Sequence, residues 1–368
     1  MERRLSLRRN LRYSYIQNTR ERQMQIEVEL SPVVSVDELL ELARIVDDAG
    51  VGRLGISDVA LFRDSLQLQA LCAAATRNVR IGSLVTNPYV RHPAIVAAAL
   101  GTLNEVSKGR AFLGIGVGAG LSGIGIEQPR PARLLEEFLT AVRELLSGGD
   151  VNLDGPTYRI KGARLQAEIA GAVPVVIGTR SRLVSRLAGR MADAVVVGTR
   201  ELTETALLRY RDWVAEGAVS AGRDPAEVDV APRVTICVSH EGEQARRSVA
   251  LYAAHYLSLG GAEQSLLPAS EFERISSLAS QATGWYFEPD VSYPAELDSL
   301  VGPEIVGRFA IAGTPAECLP KLEALRDMGF RSVSMNVAAV RRPGGSMYEG
   351  LRETLEGLVK IVPQVHAL

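Results

Sequence analysis

The chain is poor in several residue types that mark other classes of protein. Its three cysteines, Cys72, Cys237 and Cys318, lie far apart in apolar segments, which predicts reduced core residues in a cytoplasmic protein and no disulfide framework. Its four histidines lack the spacing of metal ligands, so no zinc site is expected. A net charge of −2 gives no reason to expect a nucleic-acid partner, and no apolar run reaches the roughly 18 residues of a membrane span.

The first residues differ from the rest of the chain in composition. Seven arginines face two acidic residues before position 24, and no apolar segment of the kind found in secretion signals follows them. We expect residues 1–24 to form a basic, mobile arm or an extended translation start. An arm that contacts a partner subunit or an anionic ligand is the alternative.

From residue 25 onward, predicted strands and helices alternate. Eight apolar segments predict strands, and a helical pattern follows each of them: 25–30, 53–56, 79–85, 111–116, 173–177, 194–197, 230–239 and 331–337. Strands that are apolar without alternation indicate burial on both faces, as in parallel sheets. Eight such units favour a closed (β/α)8 TIM barrel over an open sheet, with residues 25–368 as a single catalytic domain. Excursions at about 147–172 and 260–304 interrupt the alternation.

Two helix starts are marked by capping boxes. Ser35 is followed three residues later by Glu38, and Thr314 is followed in the same way by Glu317. In this pattern the hydroxyl and the carboxylate satisfy backbone N–H groups at the beginning of a helix. We therefore expect helices to begin directly after Ser35 and Thr314.

Polar residues gather after the third predicted strand, in the segment 86–93, which reads Thr-Asn-Pro-Tyr-Val-Arg-His-Pro. In parallel α/β proteins, ligands bind at the C-terminal ends of the strands. Asn87 and Tyr89 are therefore candidates to line a pocket. His92 titrates in a range that suits catalysis, but its place directly before Pro93 is more typical of a helix cap.

The fourth strand is followed by a run of glycines. Residues 118–123 fit the dinucleotide-binding pattern G-x-G-x-x-G. That pattern requires a helix that begins within the motif, whereas Pro129 and Pro131 delay the next helix. A strand end that lets a flat ring approach the backbone is the favoured interpretation. A dinucleotide site and tight packing at the barrel mouth are the alternatives.

These segments resemble the luciferase-like monooxygenase superfamily and, within it, the branch that uses the deazaflavin coenzyme F420, whose best-known member is methylenetetrahydromethanopterin reductase. The resemblance covers roughly residues 25 to 340. The matching phrases are 26–32, 55–58, 82–93, 109–116, 174–178, 192–195 and 313–315.

The resemblance implies a barrel with the flavin or deazaflavin ring at the C-terminal ends of the strands. A non-prolyl cis peptide would support the ring, and by position it would join Leu84 to Val85. Asp58 would contact the ring edge. Gly116 and Gly118 would lie beneath the ring or its ribityl chain, with Asn87 lining the pocket.

The resemblance also implies where the cofactor phosphate would bind. Gly178, Thr179 and Ser181 stand at a helix start, where backbone N–H groups and the helix dipole favour an anion. Thr199, after the sixth predicted strand, would join them. Arg180 lies in the same loop and offers a cation to the acidic tail of a deazaflavin coenzyme.

The chain departs from the family at one position. Several deazaflavin enzymes carry a histidine directly after the aspartate of strand two, where this chain has Val59, so sugar-phosphate dehydrogenase chemistry is not expected. Glu29 is the predicted replacement as catalytic acid, because a carboxylate over an apolar barrel core would have a raised pKa. The alternative is that Glu29 only bonds neighbouring backbone. Glu27 is expected to point to the other face of the strand.

The function predicted from the resemblance is that of a coenzyme F420-dependent oxidoreductase. It would transfer a hydride between the deazaflavin and a C=N or C=C bond of a small organic substrate, in the manner of methylenetetrahydromethanopterin reductase, and would be a homodimer. An FMN-dependent luciferase-like monooxygenase and a non-catalytic flavin-binding subunit are the alternatives. The segment 260–304, with Trp285, Tyr286 and Phe287, is expected to be a lid that shapes substrate choice, unless it is disordered.

Overall fold

A closed ring of eight parallel strands dominates the computed structural model, which describes residues 24–199, 201–260 and 267–367. Along this described chain the strands are β1 (Gln25–Leu30), β2 (Arg53–Ile56), β3 (Arg80–Ser83), β4 (Ala111–Ile115), β5 (Val151–Asp154), β6 (Arg159–Ala163), β7 (Val175–Thr179), β8 (Ala194–Val197), β9 (Asp229–Val238), β10 (Ala310–Gly313) and β11 (Ser332–Val337). The ring contains all of these except β5, β6 and β10. It closes because β9 pairs with both β8 and β11, and β11 pairs with β1. The predicted (β/α)8 barrel is confirmed.

Helices follow the ring strands along the chain. In the described residues their bounds are Val36–Asp48, Ser65–Ala75, Pro93–Val106, Pro131–Leu146, Arg182–Met191, Glu204–Ser220, Gly242–Ser248, Ala250–Gly260, Ala269–Ser280, Glu296–Leu300, Pro303–Phe309, Pro315–Asp327 and Met347–Ala367. Both predicted capping boxes are confirmed. Ser35 and Thr314 each accept a bond from the third helical residue, and the glutamate there accepts one in return.

Side chains of the ring strands alternate between the helix layer and the barrel interior. The even-numbered residues of β1 join the main apolar core with the helices. Glu27 and Glu29, two positions apart, therefore both point into the barrel. The expectation that Glu27 lies on the opposite face is wrong, because strand alternation places residues 27 and 29 on the same face. Glu27 is buried and pairs inside the barrel with Arg53 at 2.6 Å.

An apolar cluster fills the middle of the barrel. It consists of Leu84, Phe112, Val176, Ala194, Val196 and Ala231. A Cβ at Gly82 would lie 2.2 Å from the carbonyl oxygen of Phe112, so the close approach of β3 and β4 requires a glycine there. The barrel interior is therefore filled by side chains. The space for a ligand lies at the open end, where the C-terminal ends of the strands meet. We call this end the barrel mouth.

The first excursion contains an antiparallel hairpin. Strands β5 and β6 pair with each other, and Tyr158 stands directly before β6. The Tyr158 hydroxyl donates to the carbonyl oxygen of Pro88 at 2.8 Å, and its ring meets the His92 ring edge-on at 5.3 Å. The hairpin therefore supports the polar segment that follows β3.

The second excursion is largely helical where it is described. It contributes the helices Ala269–Ser280, Glu296–Leu300 and Pro303–Phe309, and a bridge joins Thr283 to Ser292. Strand β10 follows and pairs with the C-terminal half of β9. Sequence reasoning missed β10, because an apolar run of four residues is too short to distinguish a strand from a helix segment.

The predicted basic arm, residues 1–24, lies outside the described residues except for Met24, which is buried. Within the described ranges, no helix is both long enough and apolar enough to cross a membrane.

Candidate active site at the barrel mouth

The floor of the barrel mouth is formed by the end of β3 and its neighbours. The peptide bond between Leu84 and Val85 is cis, as the resemblance implied. A Cβ at Gly116 would lie 3.0 Å from Val85, and one at Gly178 would lie 2.9 Å from it. The two glycines therefore leave room for the Val85 side chain, which packs against their backbone; we call this apolar surface the Val85 platform.

Asp58, the predicted ring-edge contact, is held firmly at one side of the mouth. The Thr86 hydroxyl donates to its Oδ2 at 2.6 Å, and Arg91 donates to Oδ2 at 2.5 Å and to Oδ1 at 3.4 Å. Arg91 also donates to Asp64 at 2.9 Å. Burial alone would lower the pKa of the Arg91 guanidinium, but its bonds to the two carboxylates outweigh that and raise it.

The loop after β3 is stabilised by its own polar groups. Asn87 is buried, and its Oδ1 accepts from the backbone of Tyr89 at 3.0 Å and of Val90 at 3.2 Å. A Cβ at Gly118 would lie 3.2 Å from Asn87, so these two predicted site residues are neighbours. The prediction that His92 caps a helix is confirmed, because its Nδ1 accepts from the backbone N–H of Ala94 at 3.2 Å.

The glycine run does not form a dinucleotide-binding turn. Residues Leu121–Ile124 form one short 3-10 turn, and the next α-helix begins only at Pro131. Strand β4 lies between β3 and β7 inside the ring. A dinucleotide fingerprint requires a helix that starts within the motif, so that alternative is wrong.

The predicted phosphate site lies at the start of the helix Arg182–Met191. Ser181 is the N-cap, and its hydroxyl accepts from the backbone of Val184 at 3.2 Å. The Thr179 hydroxyl accepts from the Ser181 N–H at 3.1 Å. No group among the described residues hydrogen-bonds to the buried hydroxyl of Thr199, which follows β8 beside β7.

Arg180 is exposed, and its side chain contacts the helix Ala250–Gly260. It donates to the Tyr256 hydroxyl at 2.6 Å, and its guanidinium lies 5.4 Å from the centre of that ring. Arg182 differs, because it lies on the surface with Glu216 at 3.3 Å. The two arginines therefore have different partners, Tyr256 for Arg180 and Glu216 for Arg182.

Glu29 is buried at the mouth, but its surroundings are not those expected. Arg233 forms two bonds to its carboxylate, at 2.7 and 3.0 Å, and the Ser57 hydroxyl donates to it at 2.9 Å. Burial would lower the pKa of Arg233, but the attraction of Glu29 outweighs it and raises that pKa. The assumption of an apolar surrounding for Glu29 is therefore wrong. Sequence reasoning missed Arg233, although a lone arginine inside an apolar strand was an available signal.

Aromatic side chains lie beside the Glu29–Arg233 pair, with Tyr252 and Tyr286 near Arg233. We call this group the lid cluster; it consists of Phe62, Tyr252, His255, Tyr256, Trp285, Tyr286 and Phe287, with neighbouring rings 4.7–6.4 Å apart. Burial raises the pKa of both Tyr252 and Tyr286, so their phenols remain protonated hydrogen-bond donors. Three residues of the segment 260–304, Trp285, Tyr286 and Phe287, thus pack into this cluster.

A small cavity, partly open to solvent, adjoins the lid cluster. Its walls include Tyr252, Tyr286 and Arg341 from the lid side and Thr235 and Asn336 from the barrel. The Asn336 side chain donates to the Thr235 hydroxyl at 3.1 Å. Within the described ranges, no group of three or more histidine, cysteine or acidic residues is arranged to hold a metal ion.

Comparisons with known proteins agree with this geometry. The family model for luciferase-like monooxygenases matches residues 16–332. A 5,10-methylenetetrahydromethanopterin reductase of Methanolobus tindarius is 29 % identical over 312 residues, which are 84 % of this chain and 93 % of that protein. An F420-dependent glucose-6-phosphate dehydrogenase of Nakamurella multipartita is 27 % identical over 315 residues, 80 % of this chain and 84 % of that protein.

A solved structure shows the same fold. The coenzyme F420-dependent tetrahydromethanopterin reductase of Methanopyrus kandleri superposes with a TM-score of 0.79, at 24 % identity, over 93 % of this chain and 99 % of that one. The barrel, the glycine-flanked platform and the matched length lead to one assignment. This chain belongs to the luciferase-like monooxygenase family.

Proposed function

We propose that this chain is a coenzyme F420-dependent oxidoreductase. It would transfer a hydride between the deazaflavin and a C=N or C=C bond of a small organic substrate, resembling the methylenetetrahydromethanopterin reductases. The observation that carries the proposal is the Val85 platform, flanked by Gly116 and Gly178 and bordered by Asp58. Relatives whose names state F420 dependence cover most of the chain and support the choice of cofactor.

The mouth fits such a cofactor in shape and in charge. A flat ring system needs an apolar surface to lie on, and Val85, packed against the two glycines, would offer one. The N-terminus of the helix Arg182–Met191 favours a phosphate. The buried Thr199 hydroxyl is available to it, and Arg180 provides a cation for further acidic groups.

The protein and the cofactor would divide the chemistry between them. The deazaflavin, when bound, supplies or accepts the hydride. Asp58 and Val85 orient the ring, and the lid cluster excludes water from the mouth. Glu29 remains the predicted proton-transfer group, held in place by Ser57 and Arg233. A carboxylate fixed by two partners is already oriented before the substrate arrives. This orientation favours proton transfer at one defined atom of the substrate.

Cofactor titration tests the proposal. The purified protein is titrated with F420 and, separately, with FMN, and the fluorescence of each cofactor is followed. We expect micromolar binding of F420 and much weaker binding of FMN, with turnover that needs no oxygen. The reverse preference would support an FMN-dependent monooxygenase. Binding of neither cofactor would leave the barrel without an enzymatic function of this kind.

Replacing Glu29 by glutamine tests its role in proton transfer. We expect E29Q to lower kcat by about 100-fold or more, the usual contribution of a general acid, while F420 affinity is unchanged. Single-turnover and steady-state rates with F420 provide the measurement. E27Q is the matched control, because Glu27 lies on the same face of β1 but pairs with Arg53 deeper in the barrel. A kcat for E29Q equal to that of the wild type would remove Glu29 as the acid.

We further propose a cytoplasmic homodimer. Leu71 and Ile95 are 45 % and 61 % exposed on the helices Ser65–Ala75 and Pro93–Val106. These helices lie side by side on the barrel exterior. We assign the subunit interface to this surface, because association would remove both apolar side chains from water.

A further inference from the structure

Arg91 belongs to the polar segment after β3, and the cofactor contacts proposed above leave it without a role. Its side chain is 19 % exposed, and both terminal nitrogens bond to carboxylates. One carboxylate, Asp58, borders the platform at the mouth. The other, Asp64, stands six residues later, at the beginning of the helix Ser65–Ala75. One guanidinium thus joins both ends of the loop 58–64.

Each end of this loop is also fixed by a second contact. The Thr86 hydroxyl holds Asp58 from the side of β3. Asp64 caps its helix, because its Oδ1 accepts from the backbone of Leu66 at 3.0 Å and of Gln67 at 3.1 Å. Arg91 therefore connects a residue of the mouth to the rigid start of a helix. The Asp58 carboxylate is thus held by groups outside the loop 58–64 as well as by the loop backbone.

The loop itself needs such support. Leu61 is 92 % exposed and adopts a φ of +69°, a conformation that side chains other than glycine rarely adopt. Phe62, the next residue, contacts Phe287 of the lid cluster with ring centres 6.0 Å apart. A shift of this loop would therefore move Asp58 at one end and disturb the lid contact in the middle.

The chemistry of arginine suits this task. A planar guanidinium bonds to two acceptors along fixed directions, whereas a lysine ammonium is a single flexible point charge. A carboxylate offers about four acceptor positions, and Thr86 and Arg91 occupy three of those on Asp58. Because these three bonds fix the orientation of the Asp58 carboxylate, they also fix the direction of its remaining acceptor position.

We propose that Arg91 is a positioning residue for the cofactor site. It holds the Asp58 carboxylate in one orientation toward the cofactor ring edge by connecting it to the capping residue Asp64. The inference rests on the proposed function, because Asp58 meets the cofactor ring only if the mouth binds F420.

The test measures F420 affinity by fluorescence in wild type, R91M, R91K and D58N. We expect R91M to raise the F420 Kd about tenfold or more, and R91K about threefold, because lysine keeps the charge but cannot serve both carboxylates. The double variant D58N/R91M is expected to bind no more weakly than the weaker single variant, since both changes remove the same interaction. R63M is the matched control, because Arg63 lies in the same loop and bonds only to the Pro32 carbonyl among the described residues.

Thermal unfolding of each variant separates a local effect from loss of the fold. If R91M unfolds, R91K carries the test, and F420 affinity equal to wild type in R91K overturns the proposal. Equal affinity in R91M also overturns it, as does a double variant whose loss is the sum of the single losses. Failure of the wild type itself to bind F420 overturns the proposed function and this inference together. Binding by the wild type with no effect of R91M overturns the positioning role alone.

Discussion

Asp47 shows how one buried side chain determines where a strand begins. Its carboxylate accepts from the backbone N–H groups of Arg77, Asn78 and Val79 at 2.7–2.8 Å. Burial alone would raise the pKa of Asp47, but these bonds, with Arg110 nearby, hold it below its usual range. These hydrogen bonds therefore stabilise the fold at pH values above the unfolded pKa of Asp47, about 3.9. This stabilisation is lost as the pH falls through the lower pKa of Asp47 in the folded protein.

Replacement of Asp47 by asparagine is expected to remove this contribution. We expect D47N to lower the free energy of unfolding at pH 7 by about 2 kcal/mol, because two or more buried N–H groups lose their charged acceptor. Its stability is also expected to fall less steeply than that of wild type below about pH 4. Denaturant unfolding over a pH series measures both effects. D48N, at the exposed next position of the same helix, is the control, and equal losses in the two variants would contradict the prediction.

At the scale of elements, the lid is attached to the barrel through a few contacts. Arg341, just beyond β11, donates to the carbonyl oxygens of Tyr286 at 3.0 Å and of Glu288 at 2.7 Å. Its own backbone N–H donates to the Ser248 hydroxyl at 2.8 Å. Burial lowers the pKa of Arg341, yet its guanidinium remains charged at neutral pH. One side chain thus holds the aromatic part of the lid against the last ring strand.

Removing the Arg341 guanidinium is expected to loosen the lid without affecting the platform. In R341M we expect faster amide exchange in residues 283–292 and a substrate KM several-fold higher, because two carbonyls lose their charged donor, while F420 affinity is unchanged. Hydrogen exchange and steady-state kinetics provide the measurements. R352M serves for comparison, since Arg352 lies exposed on the final helix beside Glu356. Unchanged exchange in the lid would show that Arg341 does not hold it.

For the whole molecule, the decisive question is association. If the exposed apolar side chains of the helices Ser65–Ala75 and Pro93–Val106 form the proposed dimer interface, the chain will elute with twice the mass of one copy. We expect I95E to shift the protein to the monomer, because a buried unpaired carboxylate opposes association. Light scattering coupled to gel filtration measures the mass. L183E changes a leucine that is 65 % exposed on another helix and should leave the dimer intact. A monomeric wild type would contradict the prediction.

The sequence determined those features that depend on near neighbours in the chain. Apolar strand segments, helix caps such as Ser35 and Thr314, and the polar segment after β3 follow from local pattern, and all were predicted. The family phrases placed the cis bond correctly between Leu84 and Val85. The misplacement of Glu27 belongs here too, because strand alternation alone would have corrected it.

Only the tertiary structure decided which distant side chains meet. Glu29 and Arg233 are 204 residues apart in the chain, and Arg180 and Tyr256 are 76 apart. Their contacts depend on ring closure, on the register of neighbouring strands and on the packing of the helix Ala250–Gly260 against the barrel. Periodicity and capping patterns extend over only a few residues and carry no information on register. The family resemblance that singled out Glu29 at the end of the first strand therefore could not show that Arg233 is its partner.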